Sequence, residues 1–144
     1  MTVFLDSSAL AKRYLEELGS DRVEEVLFSA SSLGVSVICV PEVISALCRC
    51  RRERKLSPQQ YLKAKQAFLE DIEDSSVVNV TDKVVARAIG LLELWPLRSS
   101  DSLHVASAAE WSADLFVSAD ANQCVAARGY GLRVEELPVS RRTD

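Results

Sequence analysis

The chain has 144 residues, a net charge of −4, 48% hydrophobic and 26% charged residues, and a sequence pI near 5.1. That length serves one domain with one core rather than two, expected over 1–139 with a loose tail at 140–144. The acidic balance argues against a protein that holds nucleic acid by bulk electrostatics alone. No stretch approaches the ~20 apolar residues of a membrane span, and Met1-Thr2 leads into Val3-Phe4-Leu5 without a basic leader, so the expected location is cytoplasmic, with no membrane association.

In chain order, Val3-Phe4-Leu5 reads as a strand ending at Asp6, with Ser7-Ser8 opening a helix over Ala9–Leu18. Gly19-Ser20-Asp21 breaks the chain before a helix over Arg22–Ala30. Val35–Val40 reads as the second strand, and Pro41 opens a helix with Glu42 in its first turn. That helix runs into Arg49, Arg51, Arg52, Arg54 and Lys55. Ser57-Pro58 starts another helix, to about Glu73, with Tyr61, Leu62, Phe68, Leu69 and Ile72 at helical spacing.

Ser76–Val80 is a third strand, and Thr81-Asp82 caps a helix that reaches Trp95 before Pro96 stops it. Ser99 or Ser100 caps Asp101–Trp111. Leu115–Ser118 is the fourth strand, Ala121–Arg128 a short helix, and Arg133–Leu137 the fifth strand. Strands alternating with helices imply parallel pairing and right-handed crossovers, hence an α/β helix–sheet–helix sandwich. The cysteines at 39, 48, 50 and 124 form no CxxC pair and are expected to be reduced, mostly buried thiols.

Asp6, Glu42, Asp101 and Asp120 all fall where a hydrophobic run gives way to a helix. In a parallel sheet those transitions share one rim, where open α/β folds place their sites. Carboxylates brought together at roughly 6 Å repel by about 3 kcal/mol per pair at an effective dielectric of about 20. A hard divalent cation such as Mg²⁺ or Mn²⁺, which prefers oxygen ligands, removes that cost.

Each acid also has a structural explanation as an N-cap or a first-turn residue. Because Ser7, Ser8, Ser99 and Ser100 are present to cap, Asp6 and Asp101 are expected to have no necessary capping role. Other rim chemistries fail on pattern. Asp6 is followed by two serines rather than an Asp two residues on, as a haloacid-dehalogenase-type phosphatase would need. The paired acids and Lys of a response regulator are missing, as are GxGxxG and GxxxxGK[ST] motifs.

The lone His104 leaves a Ser-His-Asp triad hard to support and reads as a packed or partly exposed side chain. Trp95 and Trp111 read as packing. Arg49, Arg51 and Arg52 are favourable at a helix C-terminus and are also candidates to meet RNA phosphates or an acidic partner. Arg98, three residues before Asp101, either meets a phosphate at the rim or pairs with a carboxylate.

The segments LDSSAL (Leu5–Leu10), VPEVISAL (Val40–Leu47), LRSSDSLHVASA (Leu97–Ala108) and FVSADANQCVAARGYGLRV (Phe116–Val134) together resemble the PIN domain, and within it the VapC-type toxins of toxin–antitoxin pairs. The resemblance implies a five-stranded parallel sheet and a Mg²⁺- or Mn²⁺-dependent ribonuclease that hydrolyses RNA by in-line attack of water, leaving a 5′-phosphate and a 3′-hydroxyl. It also implies a homodimer, for which Tyr14 and Leu15 are either a dimer face or core, and a cognate VapB-like antitoxin.

By position, Asp6, Glu42, Asp101 and Asp120 match the family's acidic quartet, with Asp6, Asp101 and Asp120 as metal ligands. Ser7 and Ser118 match its small hydroxyl positions, and Arg98 a frequent arginine. The sequence departs from many relatives at Ala121-Asn122-Gln123, where Asn122 is either a ligand through water or a helix start. The alternatives are a PIN nuclease of RNA processing outside a toxin–antitoxin pair and a non-catalytic PIN-like binding module.

Overall fold

A computed structural model describes residues 1–139; the tail at 140–144 lies outside the described residues. The elements are β1 (Thr2–Leu5), α1 (Ser7–Ala11), α2 (Ser20–Ser29), β2 (Ser32–Ser36), α3 (Cys39–Arg52), α4 (Pro58–Glu73), β3 (Ser76–Val78), α5 (Asp82–Leu94), α6 (Ser99–Glu110), β4 (Leu115–Ser118), α7 (Ala121–Gly129) and β5 (Val134–Glu136). The five strands form one parallel sheet in the order β3-β2-β1-β4-β5.

Alternation along the strands assigns the two faces. Val3, Leu5, Val35, Leu115 and Val117 join Leu10, Val26, Leu47 and Phe68, so α1–α4 cover one side. Phe4 and Phe116 point the other way, to Val84, Leu91, Val105 and Ala126 of α5–α7. This is the expected three-layer sandwich, since parallel strands buried on both faces need apolar residues at every position. The chain winds outward from β1 to β3, then returns through α5 and α6 to β4 on the opposite flank of β1. The strand order therefore reverses beside β1, which opens a crevice beyond the carboxyl ends of β1 and β4.

Local signals explain most element ends. Ser57 accepts a hydrogen bond from Gln60 N at 3.1 Å while the Gln60 side chain accepts one from Ser57 N at 2.8 Å, a reciprocal capping box with Pro58 beginning the helix. Thr81 caps α5 through Val84 N.

Two elements differ most from the sequence reading, while α2, β3 and β5 shift by one or two residues at their ends. β2 is Ser32–Ser36, not Val35–Val40, because its register with β1 pairs Thr2 with Ser32 and Phe4 with Gly34. Val37 and Ile38 then turn the chain, Ser36 Oγ accepting from Ile38 N at 3.3 Å, and Cys39-Val40 already lie in α3. α1 stops at Ala11 instead of Leu18. Beyond it Lys12, Arg13 and Tyr14 bond carbonyls three residues back at 3.0–3.2 Å, and the buried Lys12 Nζ donates to Leu18 O at 2.7 Å.

Tyr14 and Leu15 pack against the core. The Tyr14 ring meets Phe68 edge-on at 5.3 Å and its hydroxyl donates to Asp71 at 2.6 Å, so core packing is the role this structure gives them. All four cysteines are free thiols, Cys39 and Cys124 buried; burial pushes the Cys39 thiol up to about 12.

Gly34 is fixed by Trp111, whose ring lies where a side chain would go. A Cβ at position 34 would stand 2.6 Å from that ring, and Trp111 itself packs on Phe4 with centroids 6.2 Å apart. Gly34→Ala is therefore expected to destabilise the protein by about 1–3 kcal/mol, read as a lower urea midpoint at unchanged slope.

Candidate active site

The four acids identified in the sequence each stand at a helix start on the carboxyl rim of the sheet. Asp6 follows β1 and caps α1, its Oδ1 accepting from Ala9 N at 2.9 Å. Its two oxygens also accept from the Ser8 hydroxyl at 2.8 and 2.9 Å, and Oδ2 accepts from Ser118 Oγ at 2.7 Å. The side chain is only 1% exposed. Burial raises its carboxyl above the ordinary aspartate value, while His104 and the Ser118, Ala9 and Ser8 hydrogen bonds pull the other way.

Asp101, also buried, lies in the first turn of α6. Its Oδ2 accepts from Arg98 N at 3.2 Å and Nε at 3.3 Å, and its Oδ1 from Gln123 Nε2 at 3.0 Å. Asp120 caps α7 by accepting from Gln123 N at 3.1 Å, and its own N–H donates to Ser118 Oγ at 2.9 Å. Ser118 thus links Asp6 to Asp120, and Gln123 links Asp120 to Asp101. The expectation that Asp6 and Asp101 have no capping role is overturned. Ser7, Ser99 and Ser100 lie within the first turns, where a residue is past the cap position, so the acids take the exposed backbone donors themselves.

Glu42, half-buried in the first turn of α3, accepts at Oε1 from Ser7 Oγ at 2.8 Å and is 2.6 Å from His104 Nε2. The His104 hydrogen bond is the main reason its carboxyl lies below the ordinary glutamate value; burial opposes this, and the charge of His104, Ser7 and Arg98 support it. Sequence reasoning set His104 aside as packing. It is packed, at 2% exposed, yet it meets two site residues at once, since Ser7 Oγ lies 3.3 Å from the same nitrogen. The signal was its place one turn after Asp101 on the same helix.

Gln123 was also missed in favour of Asn122, which is exposed, whereas Gln123 is buried between two of the acids. Of the two roles open to Arg98, the structure has the ion pair with Asp101, with the arginine side chain 81% exposed.

Ser7, Ser8, Glu42 and Asp120 line a cleft of about 610 Å³ together with Lys12, Arg49 and Lys55 and the acids Glu17 and Glu53, which pair with Lys12 and Lys55 at 3.4 and 3.1 Å. The basic run divides here. Arg49 faces the cleft, while Arg51 lies over the Tyr61 ring at 4.3 Å and neither it nor Arg52 lines the cleft. A slightly larger depression of about 660 Å³ sits among Leu27, Phe28, Leu33 and the end of α4. Arg13, Glu24, Glu25, Asp71 and Asp74 also line it, but it holds none of the four acids, so its size does not make it the site.

The donor set suits a hard cation, being carboxylate oxygens with no thiolate among them. Among the described residues, no three His, Cys, Asp or Glu side chains already stand close enough to hold a metal ion. The carboxylates are instead satisfied by Ser8, Ser118, Gln123 and Arg98.

A family model described as the PIN domain matches residues 3–129. No curated protein sequence matches. Among solved structures, the fold is similar to VapBC2 from Rickettsia felis bound to a DNA fragment from its promoter (TM-score 0.68, 14% identity, 94% of this chain and 98% of that one). It is also similar to Mycobacterium tuberculosis VapC20, described as a sarcin-ricin loop cleaving toxin (0.66, 15%, 90% and 95%), and to FitAcB from Neisseria gonorrhoeae (0.65, 18%, 92% and 95%). At these identities the likeness concerns the fold. With the rim acids in place and a family match across nearly the whole sheet and its helices, the chain belongs to the PIN domain family.

Proposed function

We propose that the protein is a metal-dependent endoribonuclease acting in the cytoplasm, the toxin of a VapBC-type pair, held as a homodimer and neutralised by a VapB-like antitoxin. The observation that carries this reading is the joining of Asp6, Asp101 and Asp120 through Ser118 and Gln123, beside a cleft that Arg49 also lines. Several fold relatives are described as toxin–antitoxin complexes. Among the described residues no helix is long and apolar enough to cross a membrane.

Asp6, Asp101 and Asp120 would hold Mg²⁺ or Mn²⁺, with Glu42 beside them. Such an ion lowers the pKa of a water molecule and offsets the charge of the phosphodiester. Glu42 remains ionised and accepts a hydrogen bond from the attacking water. Ser7 and Ser118 orient Glu42 and Asp6, Arg98 stands at the rim over Asp101, and Arg49, which lines the cleft, meets a phosphate there. Substrate profiling in Mn²⁺ tests the reading: RNA is expected to be cut, and chromogenic phosphoesters left intact. Hydrolysis of phosphoesters without RNA cleavage would contradict it.

The split in the basic run gives a sharper expectation. Arg49→Ala should weaken RNA binding and flatten the dependence of log K on log salt by about 0.7, one single-strand phosphate contact. Arg51→Ala, away from the cleft, should leave the slope unchanged. Fluorescence anisotropy over a salt series measures both.

A further inference from the structure

His104 is almost fully buried on α6, a helix whose neighbouring Val105, Ala106 and Ala108 are also buried. A buried imidazole is favourable only where its nitrogens find partners. Nε2 has two, Glu42 Oε1 at 2.6 Å and Ser7 Oγ at 3.3 Å. Nδ1 is buried with none. A side chain kept for packing alone would be an aliphatic one that leaves no nitrogen unmet, so what the ring contributes lies at Nε2.

Both partners belong to the candidate site, on two other elements. Ser7 opens α1 and Glu42 sits in the first turn of α3, while α6 carries Asp101 one turn before His104. Glu42 Oε1 accepts from both Ser7 and His104, and among the described residues Oε2 accepts from none. A free glutamate samples many rotamers; this one is fixed before anything binds, with one oxygen occupied and one available.

We propose that His104 is a positioning residue for the nuclease reaction, its Nε2–H tying down Oε1 of Glu42 so that Oε2 alone serves the cation and the attacking water. The inference rests on the ribonuclease reading above. It assigns His104 no contact with substrate. Its effect passes through Glu42 and through the brace it makes between α6, α3 and α1.

The test compares wild type with His104→Leu and His104→Gln, the second restoring an N–H donor at a similar reach. His104→Leu is expected to melt no lower than wild type, to lower kcat by about 10–100-fold with little change in KM for RNA, and to raise the Mn²⁺ concentration at half-maximal thermal shift. His104→Gln is expected to recover most of both losses. Because this is the chain's only histidine, ¹⁵N-histidine labelling gives one ring to observe. Its Nε2 is expected to carry the proton and to shift when Mg²⁺ is added.

His104→Leu with wild-type kcat and wild-type Mn²⁺ midpoint overturns the inference while leaving the nuclease reading standing. So does a loss that follows lowered stability and is not recovered in His104→Gln. Wild-type protein that neither binds Mn²⁺ nor cuts RNA overturns both.

Discussion

Asp6→Asn is expected to abolish RNA cleavage and, in the same preparation, to raise the melting temperature of the metal-free protein at neutral pH. The carboxylate is almost fully buried, and among the described residues no cation is bonded to it and its donors are Ser8, Ala9 and Ser118. Burial raises its folded pKa, so the folded state holds the proton more tightly than the unfolded chain. Stability from this group is then present at low pH and lost as pH rises from the ordinary carboxylate range through the raised folded value. At neutral pH the cost of burying this carboxyl therefore weakens the fold.

Asn has the same shape without that charge. Its oxygen keeps the bond from Ala9 N, and the Ser118 hydroxyl can turn to accept from the new amide. The activity lost is expected to be about 10³-fold or more, as for removal of a group that stabilises transition-state charge. Melting curves at neutral pH and near pH 4, in EDTA, check the stability part: the advantage of Asp6→Asn should shrink at the lower pH. A variant that is both unstable at neutral pH and active would contradict the assignment.

The second large effect is stabilisation by metal. If Asp6, Asp101 and Asp120 share one divalent ion, Mg²⁺ at about 100 times its dissociation constant should add about 2.7 kcal/mol to wild-type stability. For a chain of this length that is a rise in melting temperature of about 8–10 °C. Asp6→Asn and Asp101→Asn should lose most of the rise. The gain is large because the ion replaces weak neutral donors at Ser8, Ser118 and Gln123 with one strong charge. Differential scanning calorimetry with Mg²⁺ against EDTA measures it; no shift at any Mg²⁺ concentration would remove the metal from the account.

Much of this was legible in the sequence because local signals and global fold agree. Alternating runs such as Val3-Phe4-Leu5 and Leu115–Ser118, and caps such as Ser57-Pro58 and Thr81, act over a few residues and appear in the structure where they were expected. The bounds of β2 were not legible, since Val35–Val40 is apolar apart from Ser36 and only pairing with β1 decides where the strand ends and α3 begins.

The four acids were found through their repeated position where a hydrophobic run gives way to a helix; for Asp6, Glu42 and Asp120 that run holds a strand, whereas Asp101 follows the end of α5 and reaches the same rim through the start of α6. The groups that hold them were harder to read. His104 and Gln123 act across tertiary contacts to Glu42, Asp101 and Asp120, and beyond the place of His104 one turn after Asp101 nothing in their own neighbourhoods marks them apart from core or helix surface. Arg49 and Arg51 look alike in a basic run, and only the packing of Arg51 on Tyr61 separates them.

The most direct test of the central claim is cleavage of a mixed RNA pool by the purified, antitoxin-free protein with Mg²⁺ or EDTA, reading the chemistry of the new ends. Hydrolysis by water at a metal-supported acidic site gives 5′-phosphate and 3′-hydroxyl ends, in Mg²⁺ only. Cleavage that persists in EDTA, or that leaves 2′,3′-cyclic phosphate ends from attack by the RNA's own hydroxyl, would contradict it.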